Sequence, residues 1–171
     1  MSGLAAPTLP SRHRERTPME IAGSYLQRAP VDLSGMAAAL GLAVNMNATM
    51  PAGLSGRIIR GGDGAAGYRI EINGAHSSNR KRFTLAHEIA HYLLHRDMIG
   101  DGVEDSALYR SRLSSATETE ANRLAADLLM PAPLLRTIYN AGVRWTAGLT
   151  RAFEVSEEAM AIRLRQLRLA P

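Results

Sequence analysis

Hydrophobic periodicity divides the chain into helix, strand and helix regions in that order. "TPMEIAGSYLQRA" (17–29) predicts a first helix, with Thr17 as its cap and Pro18 at its first position. "LSGMAAALGL" predicts a second helix, closed by Gly41. Short strand signals follow in "LAVNM" and "GLSGRIIR". In "YRIEIN", Tyr68, Ile70 and Ile72 alternate with Arg69 and Glu71, as in a half-buried strand. The Gly-rich stretch 61–67 reads as a hairpin turn. It lacks a following Gly-Lys-Ser/Thr, and strands rather than a helix flank it, so it is not a phosphate loop. Helical spacing returns from about Ser78 to Arg96, and residues 97–115 show no clean period and read as a loop. "SATETEANRLAADLLM" predicts another helix, capped by Ser115 or Thr117 and broken by Pro131 and Pro133. Two or three short helices finish the chain, with Trp145 expected in the core. No internal repeat is present. This order predicts an α+β domain with a small antiparallel sheet and a C-terminal helical segment. The expected division is a flexible tail over 1–17, a core over 18–130, and a helical subdomain over 131–171 packed on that core.

Composition narrows the function. The chain has 171 residues, 46% of them hydrophobic, which suits a single globular domain with a sizeable core. It contains no cysteine, which excludes disulfides, thiolate ligands and thiol nucleophiles and fits a reducing compartment. No run reaches the roughly 18 apolar residues that span a bilayer. The opening "MSGLAAPTLP" lacks the charged-then-apolar order of a secretory signal. A soluble, cytoplasmic protein with no membrane association is expected. Net charge is +4, and all 20 basic residues but Lys81 are arginine. That balance permits an acidic or nucleic-acid partner without demanding one, and the run "RHRER" near the N-terminus reads as a solvated cluster.

The chemistry concentrates in "RFTLAHEIAHYLLH" (82–95). Of five histidines in the chain, three fall here, at 87, 91 and 95. On a helical wheel Phe83, Leu85, Ala86, Ile89, Ala90, Leu93 and Leu94 fill one broad arc. Thr84, His87, Glu88, His91, Tyr92 and His95 fill the other. A face simply exposed to water usually carries Lys, Arg and Glu. This one carries side chains suited to half-burial with partners, so the helix is expected to pack on one side and line a site on the other. His87-Glu88-Ile89-Ala90-His91 is an H-E-x-x-H pattern. Residues i and i+4 share a face one turn apart, so two imidazoles can reach one metal ion. Glu88, next to them, can take a proton from water activated by that ion.

Such a site needs a third protein ligand and an open position. The metzincin continuation would require Gly at 94 and His at 97, where this chain has Leu94 and Asp97. His95 lies two turns from His87, about 12 Å along the axis, too far to share an ion with both others. It reads as a supporting or interfacial histidine. The third ligand is expected from "TETEAN". Glu118 continues the apolar stripe of Ala121, Ala125 and Leu128 and is favoured over Glu120, which turns away by about 200°. A carboxylate at a helix N-terminus is also favoured by the helix dipole alone, which explains either residue. Asp97, Asp101, Glu104 and Asp105 are poorer candidates. Two histidines and a carboxylate suit Zn²⁺, and also Mn²⁺ or Fe²⁺.

"FTLAHEIAHYLLH", preceded by "IEIN" and followed by "ETEANRLAADLLMP", resembles the ImmA/IrrE-type metallopeptidases. So do "LSGRIIR" upstream and "FEVSEEAMAIRL" near the C-terminus, and the resemblance covers roughly residues 18–169. It implies a compact, helix-rich, zincin-like fold with a small sheet. It implies a zinc metalloendopeptidase of the gluzincin-like type, H-E-x-x-H plus a later Glu, with His87, His91 and Glu118 as ligands and Glu88 as general base. The substrates it implies are helix-turn-helix transcriptional repressors or antitoxins, whose cleavage regulates transcription in bacteria. Some members carry extra DNA-binding or sensor domains, for which this chain is expected to have no room. The family's Phe in N-x-F-A-A is Leu124 here, one core residue for another.

Two other readings compete. The protein could be a non-enzymatic regulator that binds its partner and uses the metal for structure. Alternatively, "LTRAFEVSEEAMAIRLRQLRLA" resembles half of a helix-turn-helix, with Arg163, Arg165 and Arg168 on its second helix, and could bind DNA through 150–168. Glu157 and Glu158 occupy the helix end that would meet the groove, where they suit the dipole but repel phosphates. A structural helix pair or a protein-binding surface is preferred there, and direct DNA binding is not expected. Tyr92, His76 and His95 are candidates for steadying an oxyanion.

Overall fold

The computed structural model describes residues 14–61, 63–99 and 115–169. The helix α1 (Pro18–Gly23) starts with a reciprocal cap. Glu20 N–H donates to Thr17 Oγ1 at 3.2 Å, and Thr17 N–H donates to the Glu20 carboxylate at 2.8 Å. It is shorter than the 17–29 that the sequence predicts. Ser24 Oγ donates to the Ile21 carbonyl at 2.6 Å, and the next amides bond three residues back rather than four. The chain thus leaves the helix in tight turns that still bring Tyr25 and Leu26 against the core. Helix α2 (Leu33–Ala39) is capped by Asp32, whose carboxylate accepts from Gly35 N–H at 2.8 Å. Gly41, at φ +74°, then turns the chain into the first strand, a left-handed conformation that favours glycine.

Strands β1 (Leu42–Ala48), β2 (Gly56–Arg60) and β3 (Tyr68–Asn73) form one sheet in the order β1-β3-β2. The expected hairpin is present: β2 and β3 are antiparallel, with Ile58 opposite Ile70. The expectation of a wholly antiparallel sheet is corrected, because β1 pairs with β3 in parallel, Val44 opposite Ile70. Three strands that reverse at each connection run up, down, up. In a meander every neighbour would then be antiparallel, but here β3 sits in the middle and meets β1 running its own way. The middle place suits its sequence: Tyr68, Ile70 and Ile72 are buried, and Arg57 pairs with Glu71 at 2.8 Å.

Helix α3 (Ser78–His95) lies on this sheet, and a 3-10 turn (Arg96–Met98) ends it. Its apolar arc meets the sheet and α2 through Leu85, Ala86 and Ile89. Its polar arc does not face open water. Helix α4 (Ser115–Leu129) packs against α3, with Ala121 and Ala125 fully buried, and covers that arc. Within the arc Thr84, Glu88, His91, Tyr92 and His95 are buried, while Phe83 and Leu94, assigned to the apolar side, are exposed. Ser115 and Thr117 both lie inside α4, and Thr117 is buried there.

Three short helices follow, α5 (Ala132–Asn140), α6 (Thr146–Phe153) and α7 (Glu157–Gln166). Leu135, Leu149, Phe153, Met160 and Leu164 join the core. Arg163 is buried. Its Nε donates to the Met130 carbonyl at 3.0 Å, and its guanidinium also pairs with Asp127, tying α7 to the end of α4. Trp145 corrects an expectation: it is 61% exposed rather than in the core. It holds the cap position of α6 with an extended backbone (φ −89°, ψ 137°), which turns it off the face that carries Leu149 and Phe153 inward. Its indole lies instead over Gly148, where a Cβ would come within 2.4 Å of the ring nitrogen. No helix among the described residues is long and apolar enough to cross a membrane.

Candidate metal centre

Helix α3 presents His87 and His91 one turn apart, and their Nε2 atoms lie 3.0 Å from each other. The first turn of α4 brings Glu118 to them. One carboxylate oxygen stands 3.4 Å from His87 Nε2 and the other 3.4 Å from His91 Nε2. The nearest contacts among the three groups are therefore 3.0–3.4 Å, and one ligand atom from each lies within 4.8 Å of the other two. Ligands bound tetrahedrally at about 2.0–2.1 Å from a common ion are spaced at about 3.3 Å, so the three groups are close enough to converge on one ion. Two imidazoles and a carboxylate are also a donor set that zinc accepts.

The rings are fixed from behind. His87 Nδ1 is 3.0 Å from Asn122 Oδ1, and since the amide oxygen only accepts, His87 carries its proton on Nδ1. Its Nε2 then offers a lone pair toward the cluster. A cation held by the three groups would relieve the repulsion between the carboxylate and lone pairs turned toward it. Asn122, in contact with His87, is a residue that the sequence reading did not single out. The signal was available: Asn122 is four residues after Glu118 and so occupies the same face of α4.

Glu88, 4% exposed, opens onto the same cleft of about 380 Å³ as His87 and Glu118. Phe83, Thr84, Ser55 and Arg80 also line it. Arg80, also absent from the sequence candidates, donates to Ser55 Oγ at 2.9 Å and adds a cation to the cleft lining.

The two glutamates of "TETEAN" are separated by the fold. Glu118 faces His87 and His91, whereas Glu120 meets His95 Nε2 at 3.1 Å. His95 is outside the three-residue group, and its Nδ1 is 3.2 Å from His91 Nδ1. Asp97 lies in the exposed 3-10 turn, outside the group; Asp101, Glu104 and Asp105 lie outside the described residues. Of the oxyanion candidates, Tyr92 packs edge-on against Tyr68, with ring centres 5.3 Å apart, within the core. His76, in the turn before α3, does not line the cleft.

Residues 37–165 match the peptidase family described as the IrrE N-terminal-like domain. A stretch of 68 residues is 44% identical to the radiation response metalloprotease IrrE of Deinococcus radiodurans. That alignment covers 39% of this chain and 20% of the relative, so the chain matches about a fifth of that protein's length.

Proposed function

The chain belongs to the IrrE N-terminal-like family of peptidases, and on that premise we propose that it is a metal-dependent endopeptidase acting on a cognate protein. The observation that carries this reading is the convergence of His87, His91 and Glu118 beside the buried Glu88. These three side chains hold the ion, and their donor set favours zinc. When bound, the ion polarises the scissile carbonyl and makes water more acidic. Glu88 is the general base: its carboxylate takes a proton from the attacking water and delivers it to the leaving amine. Asn122 keeps the His87 ring turned toward the ion. Arg80 supplies positive charge in the cleft lining, where it suits a peptide carbonyl or carboxylate.

The substrate in this reading is a helix-turn-helix repressor or an antitoxin, and the setting is a bacterial cytoplasm. A protein chain fits the open cleft, which continues past Phe83 and Asn122 into a groove of about 740 Å³ between α4 and α7, lined by Ala126, Met130 and Ile162. The rival reading, a regulator that binds without cutting, shares the metal but not the need for Glu88. Glu88→Gln distinguishes them. In the enzyme, cleavage of a co-purified or co-expressed repressor falls by about 10²–10⁴-fold while zinc content stays unchanged. A variant that regulates its partner as the wild type does would establish the binding module instead. The DNA-binding reading has lost one of its contacts, since Arg163 is committed to Asp127 and the Met130 carbonyl.

A further inference from the structure

We propose that His95 and Glu120 form a positioning pair that holds His91 in the tautomer and ring orientation required of a metal ligand. The inference rests on the metal-binding reading of His87, His91 and Glu118. When each imidazole carries one proton, the contacts fix the direction of the chain of hydrogen bonds. A carboxylate accepts and cannot donate, so the 3.1 Å contact between Glu120 Oε2 and His95 Nε2 places the proton of His95 on Nε2. With one proton on the ring, His95 Nδ1 is an acceptor. His91 Nδ1, 3.2 Å away, is then the donor. A proton on His91 Nδ1 leaves the lone pair on Nε2, the atom that faces Glu118 and His87.

The sequence spacing supports this arrangement. His87, His91 and His95 rise along one face of α3 at four-residue intervals. The third is too far to ligate beside the first but lies directly behind the second. Both ligand imidazoles thus have their Nδ1–H held: His87 by Asn122, a neutral acceptor, and His91 by a histidine that a carboxylate orients. All the outer partners except His95 come from α4, the helix that also provides Glu118. Burial gives the two members of the pair different weights. His95 is 8% exposed and water cannot readily replace it, whereas the Glu120 side chain is 66% exposed and solvent can take over part of its role.

The test is zinc affinity of the purified full chain, stripped of metal and titrated against a chromophoric chelator. His95→Phe fills the space without an acceptor. His95→Gln supplies an amide oxygen to His91 and an amide donor to Glu120. Zinc affinity is expected to fall about 10–100-fold in His95→Phe, to recover most of that loss in His95→Gln, and to fall less in Glu120→Ala. Imidazole ¹⁵N spectra of the metal-free protein are expected to show His91 protonated on Nδ1 in the wild type and in His95→Gln. Wild-type zinc binding with His95→Phe equally tight would overturn the positioning role alone. A wild type that binds no zinc would overturn the metal reading and this inference together. If His95→Phe fails to fold, Glu120→Ala, altered at an exposed side chain, decides the matter: unchanged affinity and an unchanged His91 tautomer refute the pair.

Discussion

Glu118 and Glu120 are two residues apart on one helix and serve different histidines. Glu118 stands 3.4 Å from the Nε2 atoms of both His87 and His91, and Glu120 stands 3.1 Å from that of His95. The separation follows from the helical repeat, which turns side chains at i and i+2 about 200° apart. Here α3 is long enough to meet both directions, because its histidines extend over two turns.

This division predicts distinct metal behaviour. The wild type is expected to hold about one zinc per chain, as a single three-residue site does. Glu118→Ala removes a proposed ligand and is expected to lose zinc on dialysis, while Glu120→Ala is expected to retain it at the same stoichiometry. Metal analysis by mass spectrometry on the three proteins checks this.

The arginines of α7 are expected to separate in the same way. Arg163→Leu leaves the Met130 carbonyl and Asp127 without their donor, and unfolding in urea should show a loss of about 2 kcal/mol. Asp127 remains partly exposed, which keeps the cost below that of a fully buried pair. Arg165, exposed on the same helix, should change stability by less than about 0.5 kcal/mol on substitution with alanine. Equal effects at the two positions would contradict the docking of α7 on α4.

Trp145 is the one tryptophan, so the protein's indole emission reports a single place. Because it is 61% exposed, native emission should lie close to that of hydrated indole, and iodide should quench it in the folded protein. Blue-shifted, iodide-resistant emission would place the ring in an interface.

The cap of α1 makes stability depend on pH. Hydrogen bonds from the backbone and hydroxyl of Thr17 lower the pKa of the Glu20 carboxyl below its ordinary value, with Arg14 and Arg16 adding to the effect. A carboxyl whose pKa is lower in the folded chain stabilises it above the unfolded-state pKa, and that contribution is lost as pH falls through the lowered value. The melting temperature of the wild type should therefore exceed that of Glu20→Gln at neutral pH, with the gap closing on acidification. A gap that widens toward acid would reverse the sign and refute the cap.

What the sequence determined by itself were the features set by local spacing. Tyr68, Ile70 and Ile72 alternate as a strand must, and β3 is buried on those positions. His87 and His91 are one helical turn apart, so any helix over 82–95 places them together, and their Nε2 atoms do meet. Glu118, unlike Glu120, continues the stripe of Ala121 and Ala125 by local geometry, and it is the one that meets His87 and His91. Tertiary structure decided what no spacing encodes. It inserted β3 between β1 and β2, since turn signals specify reversals but not which edge a strand joins. It laid α4 over the polar arc of α3, turning a face of unknown surroundings into a buried seam in which Asn122 and Glu120 each meet a particular histidine. It also turned Trp145 outward, because an extended cap residue leaves the helical face that hydrophobicity alone would assign it. The chemistry of each residue is written in the chain; which residue stands behind which is fixed only when two helices distant in sequence pack, and their shared burial decides which partners each polar group meets.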